Sequence, residues 1–216
     1  MEMTLIQKIC VWAVPVLFAI TVHEVAHGFV ALRFGDKTAK MLGRLTLNPV
    51  KHIDLLGTII LPVLCIVIGG VVFGWAKPVP VNPNNLPSRR YMAWVSLAGP
   101  VANLLMAFLW ALVMKLGFWF GHEGSSAALA LIYMGQAGIV INLWLGILNL
   151  LPIPPLDGGR FISAILPGKQ SAAFDRLEPY GFFILIILLA VGALQMIIGP
   201  IFLVFESLIV HLFGLV

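Results

Sequence analysis

The chain has 216 residues, of which 61% are hydrophobic and only 10% charged, and its mean hydropathy is +1.05. A soluble domain carries about 25% charged residues, so this composition excludes a water-exposed globule and indicates an integral membrane protein. The net charge of +4 is spread over loops and lacks interleaved exposed aromatics, which excludes a nucleic-acid-binding surface.

The first apolar segment covers about 5–32 and predicts a membrane helix, since a bilayer core of about 30 Å needs roughly 20 apolar residues. MEMTLIQK leads into it without a small-residue cleavage site, so the helix is expected to act as its own insertion signal. Toward its C-terminal end it reads ITVHEVAHGFVALRFGD, with His23, Glu24 and His27 in oily surroundings. Next comes GDKTAKMLGRLTLNPVKHID, punctuated by Gly and Asn-Pro, with the β-compatible stretch GRLTLNPV at 43–50. The apolar run 55–75 contains Pro62 and Gly69-Gly70 and leads into GWAKPVPVNPNNLP, which is rich in proline. Neither residue favours an unbroken helix.

Two further helices are predicted over about 91–119 and 127–151, the second followed by NLLPIPPLDGGR. A fifth long run covers 178–198, and a short one, 201–215, follows Gly199-Pro200. Cys10 and Cys65 lie in apolar runs and read as buried small hydrophobes with no disulfide framework. No internal repeat or linker divides the chain, so residues 1–216 are expected to form one membrane-embedded domain, with its core at about 5–165 and C-terminal helices at about 178–215. The fold class that follows is an all-α polytopic membrane protein of about five to six membrane helices, with a small β element and a re-entrant segment.

Acidic and basic residues within a membrane segment are costly and mark function. His23-Glu24-Val25-Ala26-His27 fits H-E-x-x-H: two imidazoles four residues apart share one face of a helix and can reach a single ion. Neutral imidazole is a good Zn²⁺ ligand, and a neighbouring carboxylate can take a proton from water on the metal. Without a metal, the same residues would form a buried hydrogen-bond network between helices. A catalytic zinc keeps three protein ligands and an open position. Asp157, between a proline-broken helix end and the pair Gly158-Gly159, is the candidate third ligand, although Pro-Pro-x-Asp-Gly-Gly is also ordinary turn chemistry. His52 and Asp54 are the other candidates.

For His23 and Asp157 to meet, the helices 5–32 and 127–151 must reach the same face with their C-terminal ends. Two apolar segments lie between them, so one must not cross, and 55–75 is expected to be re-entrant, held where protein or a water cavity satisfies its backbone. The charges agree. With 55–75 re-entrant, eleven of the thirteen Lys and Arg fall on one side, and only Lys8 and Lys115 on the other. The positive-inside rule then places the polar cluster near the cytoplasmic face.

HEVAHGFVALRFGD together with NLLPIPPLDGGR resembles the site-2 protease family of intramembrane zinc metalloproteases. SLAGPVANLL at 96–105 and GWAKPVPVNPNNL extend the likeness to a compact prokaryotic branch without a PDZ domain. The resemblance implies that His23, His27 and Asp157 bind one Zn²⁺ and that Glu24 activates the water. It also implies an oxyanion-stabilising amide at Asn149, a prokaryotic inner membrane, and single-span membrane proteins as substrates. Stretch 43–50 could pair with an unwound substrate. A zinc transporter is the alternative, but the segments 91–119 and 178–198 offer only Asn103, Lys115 and Gln195 for a polar path.

Overall fold

A computed structural model of the chain describes residues 4–60, 64, 76–121 and 125–215. Helix α1 spans Leu5–Arg33 and is opened by a capping box, in which Thr4 accepts from the Gln7 N–H and Gln7 Oε1 accepts from the Thr4 N–H. The one-turn helix α2, Thr38–Met41, and a 3₁₀ turn, Pro49–His52, follow it. After the strap of residues 76–82 and a 3₁₀ turn at Pro83–Asn85 come α3, Tyr91–Phe120, and α4, Ser126–Asn149. Shorter helices α5, Asp157–Ile165, and α6, Gly168–Asp175, lead to α7, Glu178–Ala190, and α8, Ala193–Phe213. Among the described residues, α1, α3, α4 and α8 are long and apolar enough to cross a membrane.

The packing is inside-out relative to a soluble bundle. Ile9, Phe18, Phe29, Leu105 and Leu203 point outward, while Ser96, Asn103 and Asn142 are buried between helices. Lipid is as apolar as leucine, so helices associate through small residues and interhelical hydrogen bonds. At Gly138 of α4 a Cβ would lie 2.1 Å from Trp110 Cγ of α3, and this closeness is possible only for glycine. An apolar core of Ala107, Trp110, Leu143, Ile147 and Ile198 closes the contact among α3, α4 and α8.

Helix α3 runs antiparallel to α1: His23 meets Asn103 while His27 meets Val95, and beyond them Phe34 stacks edge-on against Tyr91 at 4.8 Å. It is also antiparallel to α4, where Gly135 lies against Met114 and Gly146 against Asn103. Helices α1 and α4 are therefore parallel and bring their C-terminal ends to one face, as the meeting of His23 and Asp157 requires. Residues flanking the run 55–75 meet at that face: Lys77 N–H donates to His52 O at 2.9 Å, and Arg44 Nη2 donates to Lys77 O at 2.9 Å. Most of the expected re-entrant segment 55–75 lies outside the described residues, as do Cys65, His122 and Glu123. Its start, Leu55–Ile60, is a π-helical turn.

Three expectations change. Residues 43–50 are turns and bends running into the 3₁₀ turn, and no strand forms among the described residues. The break expected at Gly199-Pro200 falls instead at Gly192, whose φ of +73 stops a helix. Gly192 adopts that left-handed conformation without a Cβ penalty, whereas Pro200 is accommodated inside α8. The long run 178–198 is thus divided, with α7 too short to span by itself. Cys10 is exposed on the outer face of α1, where none of the described helices covers it.

Candidate metal centre

The geometry at the C-terminal end of α1 follows from the four-residue spacing. The rings of His23 and His27 meet edge to face, with centroids 4.7 Å apart. Each ring is fixed by an acceptor behind it. His23 Nδ1 donates to Asn103 Oδ1 at 2.6 Å, and His27 Nδ1 donates to Val95 O at 2.7 Å. The orientation of the Asn103 amide is set in turn, because its Nδ2 donates to Ala19 O at 3.2 Å and to Asn142 Oδ1 at 2.9 Å. A neutral imidazole that donates from Nδ1 keeps a bare lone pair on Nε2.

Both lone pairs face one point, and Asp157 comes to it from the other end of the chain. Asp157 is the first residue of α5, and its Oδ2 lies 3.0 Å from His23 Nε2 and 3.2 Å from His27 Nε2. The two Nε2 atoms are 3.1 Å apart. The glycine pair permits this: a Cβ at Gly158 would lie 2.3 Å from Leu150 O, and one at Gly159 2.5 Å from Pro154 N. The start of α5 thus folds flat onto the turn after α4 and carries the carboxylate inward.

With both imidazoles neutral, three buried acceptor atoms converge, and Asp157 Oδ2 has no hydrogen-bond donor among the described residues. Such a set is repulsive unless a cation neutralises it. A tetrahedral zinc with bonds near 2.0–2.1 Å holds its donors roughly 3.3–3.4 Å apart, close to the observed spacing. The donor set fits zinc in number, type and separation.

Glu24 points to the side of this triangle. Its Oε2 accepts the Val79 N–H at 2.7 Å, so the strap lies across the carboxylate. The strap is anchored at Asp36, which accepts from Asn82 N–H at 2.7 Å, Asn85 Nδ2 at 2.8 Å, and both the backbone and hydroxyl of Thr38. Burial works against ionisation of Asp36, but those hydrogen bonds outweigh it and hold its pKa below the ordinary carboxylate value. A cavity of about 280 Å³ under the strap is lined by His23, Glu24, His27, Ser96, Asn149 and Asp157 among others. Asn149 donates from Nδ2 to Leu145 O at 2.9 Å, which leaves its second amide hydrogen for a ligand. Pro78, Val79, Met92 and Arg160 also line an outer cavity of about 750 Å³, where Arg89 binds Ser163 and Asp175.

Among the described residues, His23, His27 and Asp157 form the group able to hold a metal. His52 and Asp54 do not join them: His52 Nε2 donates to Thr46 O at 2.8 Å, and Asp54 accepts the Gly57 N–H at 2.8 Å.

The model of Peptidase family M50 matches residues 11–122 and 117–192. The chain is 42% identical over 177 residues to YwhC of Bacillus subtilis, covering 81% of this chain and 78% of that one. The chain belongs to peptidase family M50. A second relative, Rip2 of Mycolicibacterium smegmatis, is 35% identical over 180 residues, covering 83% of this chain and 66% of its own. Both are named as candidate zinc metalloproteases. Zinc metalloprotease RasP of Geobacillus kaustophilus is 33% identical over a shorter stretch of 73 residues. No solved structure matches the chain. This M50 peptidase is thus a membrane-embedded zinc metalloprotease of the site-2 protease type, with zinc as its cofactor.

Sequence reading missed several residues that shape the M50 site. Asn103 orients His23, where the sequence showed it only as one of the few polar residues of the apolar segments. Gly99 makes room for the imidazoles, since a Cβ there would sit 2.4 Å from His27 Nε2. Val95, Gly99 and Asn103 recur at four-residue spacing along α3, a signal present in AWVSLAGPVANLL and readable only once α3 is known to face α1.

Proposed function

We propose that His23, His27 and Asp157 hold the zinc ion of this peptidase and that Glu24 is its general base. The supporting observation is the convergence of three ligand atoms within 3.2 Å, with the Nδ1 atoms of the two histidines held by Asn103 Oδ1 and Val95 O. Bound zinc supplies Lewis acidity and lowers the pKa of water toward about 7. Glu24 takes a proton from the attacking water and delivers it to the leaving amine nitrogen. Asn149 donates its free amide hydrogen to the carbonyl oxygen as negative charge develops there. The Val79 N–H holds Glu24 in place for both transfers.

The substrates are membrane-spanning proteins with a single helix, unwound at the cleavage point so that an extended backbone reaches the cavity. Residues 43–50, irregular alone, complete a short strand when such a backbone lies beside them. The membrane is a prokaryotic inner membrane, with 55–75 re-entrant and five to six segments embedded in total. The asymmetric Lys and Arg distribution supports a site toward the cytoplasm.

The test is Glu24→Gln, which keeps the shape of the side chain and removes the base. It retains one zinc per chain while cleavage of a single-span reporter in proteoliposomes falls by about 10²–10⁴-fold. Cleavage at the parent rate would refute the assignment.

A further inference from the structure

The face of α3 that touches α1 is already occupied position by position. Val95 O accepts from His27, Gly99 lies against both imidazoles, and Asn103 accepts from His23. Ser96 belongs to the same stretch and has no such task. It is 1% exposed, and its Oγ has no hydrogen-bond partner among the described residues. A serine within a helix usually satisfies its hydroxyl on the carbonyl one turn earlier, and here it does not. Ser96 instead lines the inner cavity together with His23, Glu24, His27, Asn149 and Asp157, and among the described residues it is the one hydroxyl in that lining.

A buried hydroxyl left unpaired is costly. The missing partner is an acceptor that enters with the substrate. An extended peptide laid through the cavity brings main-chain carbonyls that no longer have helical partners, and these too need donors. Asn149 lies on α4 and Ser96 on α3, so the two donors stand on different walls of the cavity. Ser96 precedes Gly99 by one helical turn, which displaces it along α3 from the imidazoles.

We propose that Ser96 is a substrate-binding residue that donates its hydroxyl hydrogen to a main-chain carbonyl of the bound substrate beside the scissile bond. The inference rests on the active-site reading above and adds a binding contact to it. The carbonyl Ser96 holds is not the one attacked, so the contact is as strong in the ground state as in the transition state. Its loss therefore raises KM and leaves kcat in place.

The experiment uses the full chain in proteoliposomes with a single-span peptide substrate, and with six analogues carrying a backbone ester at one of the three positions on either side of the scissile amide. An ester carbonyl is a weaker acceptor than an amide carbonyl. Ser96→Ala raises KM by about 5- to 10-fold, the worth of one ordinary hydrogen bond, with kcat and zinc content unchanged. At one ester position the parent loses the same factor and Ser96→Ala loses nothing further. Ser96→Cys, similar in size and a weaker donor, gives an intermediate KM and serves as the deciding variant if the alanine protein does not fold. An unchanged KM overturns the proposal, as does a penalty equal at every ester position or a loss of zinc or kcat alone. Glu24→Gln is assayed alongside: if it is inactive while Ser96→Ala has the parent KM, the Ser96 contact alone fails. An active Glu24→Gln overturns the site reading, and the Ser96 contact falls with it.

Discussion

Replacing Gly99 by alanine would place a methyl carbon 2.4 Å from His27 Nε2, 2.6 Å from His23 Cε1 and 2.7 Å from His23 Nε2. Ordinary contact begins near 3.5 Å, so the overlap with both rings is about an ångström. Neither ring can retreat freely, because each is tied from behind to α3, to Asn103 and to Val95. The methyl also lies where the three donors converge. A metal site tolerates distance errors of about 0.2 Å, and loss of a supporting contact alone costs about 10–100-fold in affinity. Gly99→Ala should therefore weaken zinc at least about 100-fold, read by competition against a fluorescent chelator, with reporter cleavage falling in parallel. Gly199→Ala is the matched control, since a Cβ there meets nothing within 4 Å and α8 lies away from the donors; it should keep both properties. Zinc binding by Gly99→Ala at the parent affinity would refute the close approach of α3 to the imidazoles.

Asn149→Ala should lower kcat by about 10²–10³-fold, the measured worth of one oxyanion donor, while metal analysis still finds one zinc per chain. An unchanged kcat would remove Asn149 from the mechanism. Asp36→Asn should lower thermal stability in detergent, because an amide leaves at least one of the donors on Asp36 unpaired at a cost of about 1–3 kcal/mol. The folded-state pKa of Asp36 is depressed, so its contribution is fully present above the unfolded value of about 3.9 and fades as pH falls through the folded one. The stability gap between parent and variant should thus close on acidification, and a gap constant between pH 7 and 3 would contradict the ionised anchor.

The half of the site written in one helical turn was legible from spacing alone: His23 and His27 share a face because they are four apart. Asp157 was legible as a candidate and not as a ligand, because its approach depends on Gly158 and Gly159 lying on backbone carbonyls of the preceding turn. The parallel course of α1 and α4 was deduced by requiring the two motifs to meet, and the pairs His23–Asn103 and Gly138–Trp110 agree with it. Residues that act through contact across the chain were invisible. Asp36 and Val79 look like loop residues until the strap is seen to cross Glu24. The break at Gly192 was missed because Pro200 is the stronger helix breaker by propensity, and propensity says nothing of which glycine adopts a left-handed turn.

Metal content is the most direct measurement of the central claim that three donors from α1 and α5 hold one zinc ion. The full chain, purified in detergent with limiting zinc, should carry one zinc per chain by elemental analysis. Asp157→Ala should carry almost none under the same conditions, and so should His23→Ala and His27→Ala. Stoichiometric zinc at parent affinity in Asp157→Ala would show that the third ligand lies elsewhere and contradict the assembled site.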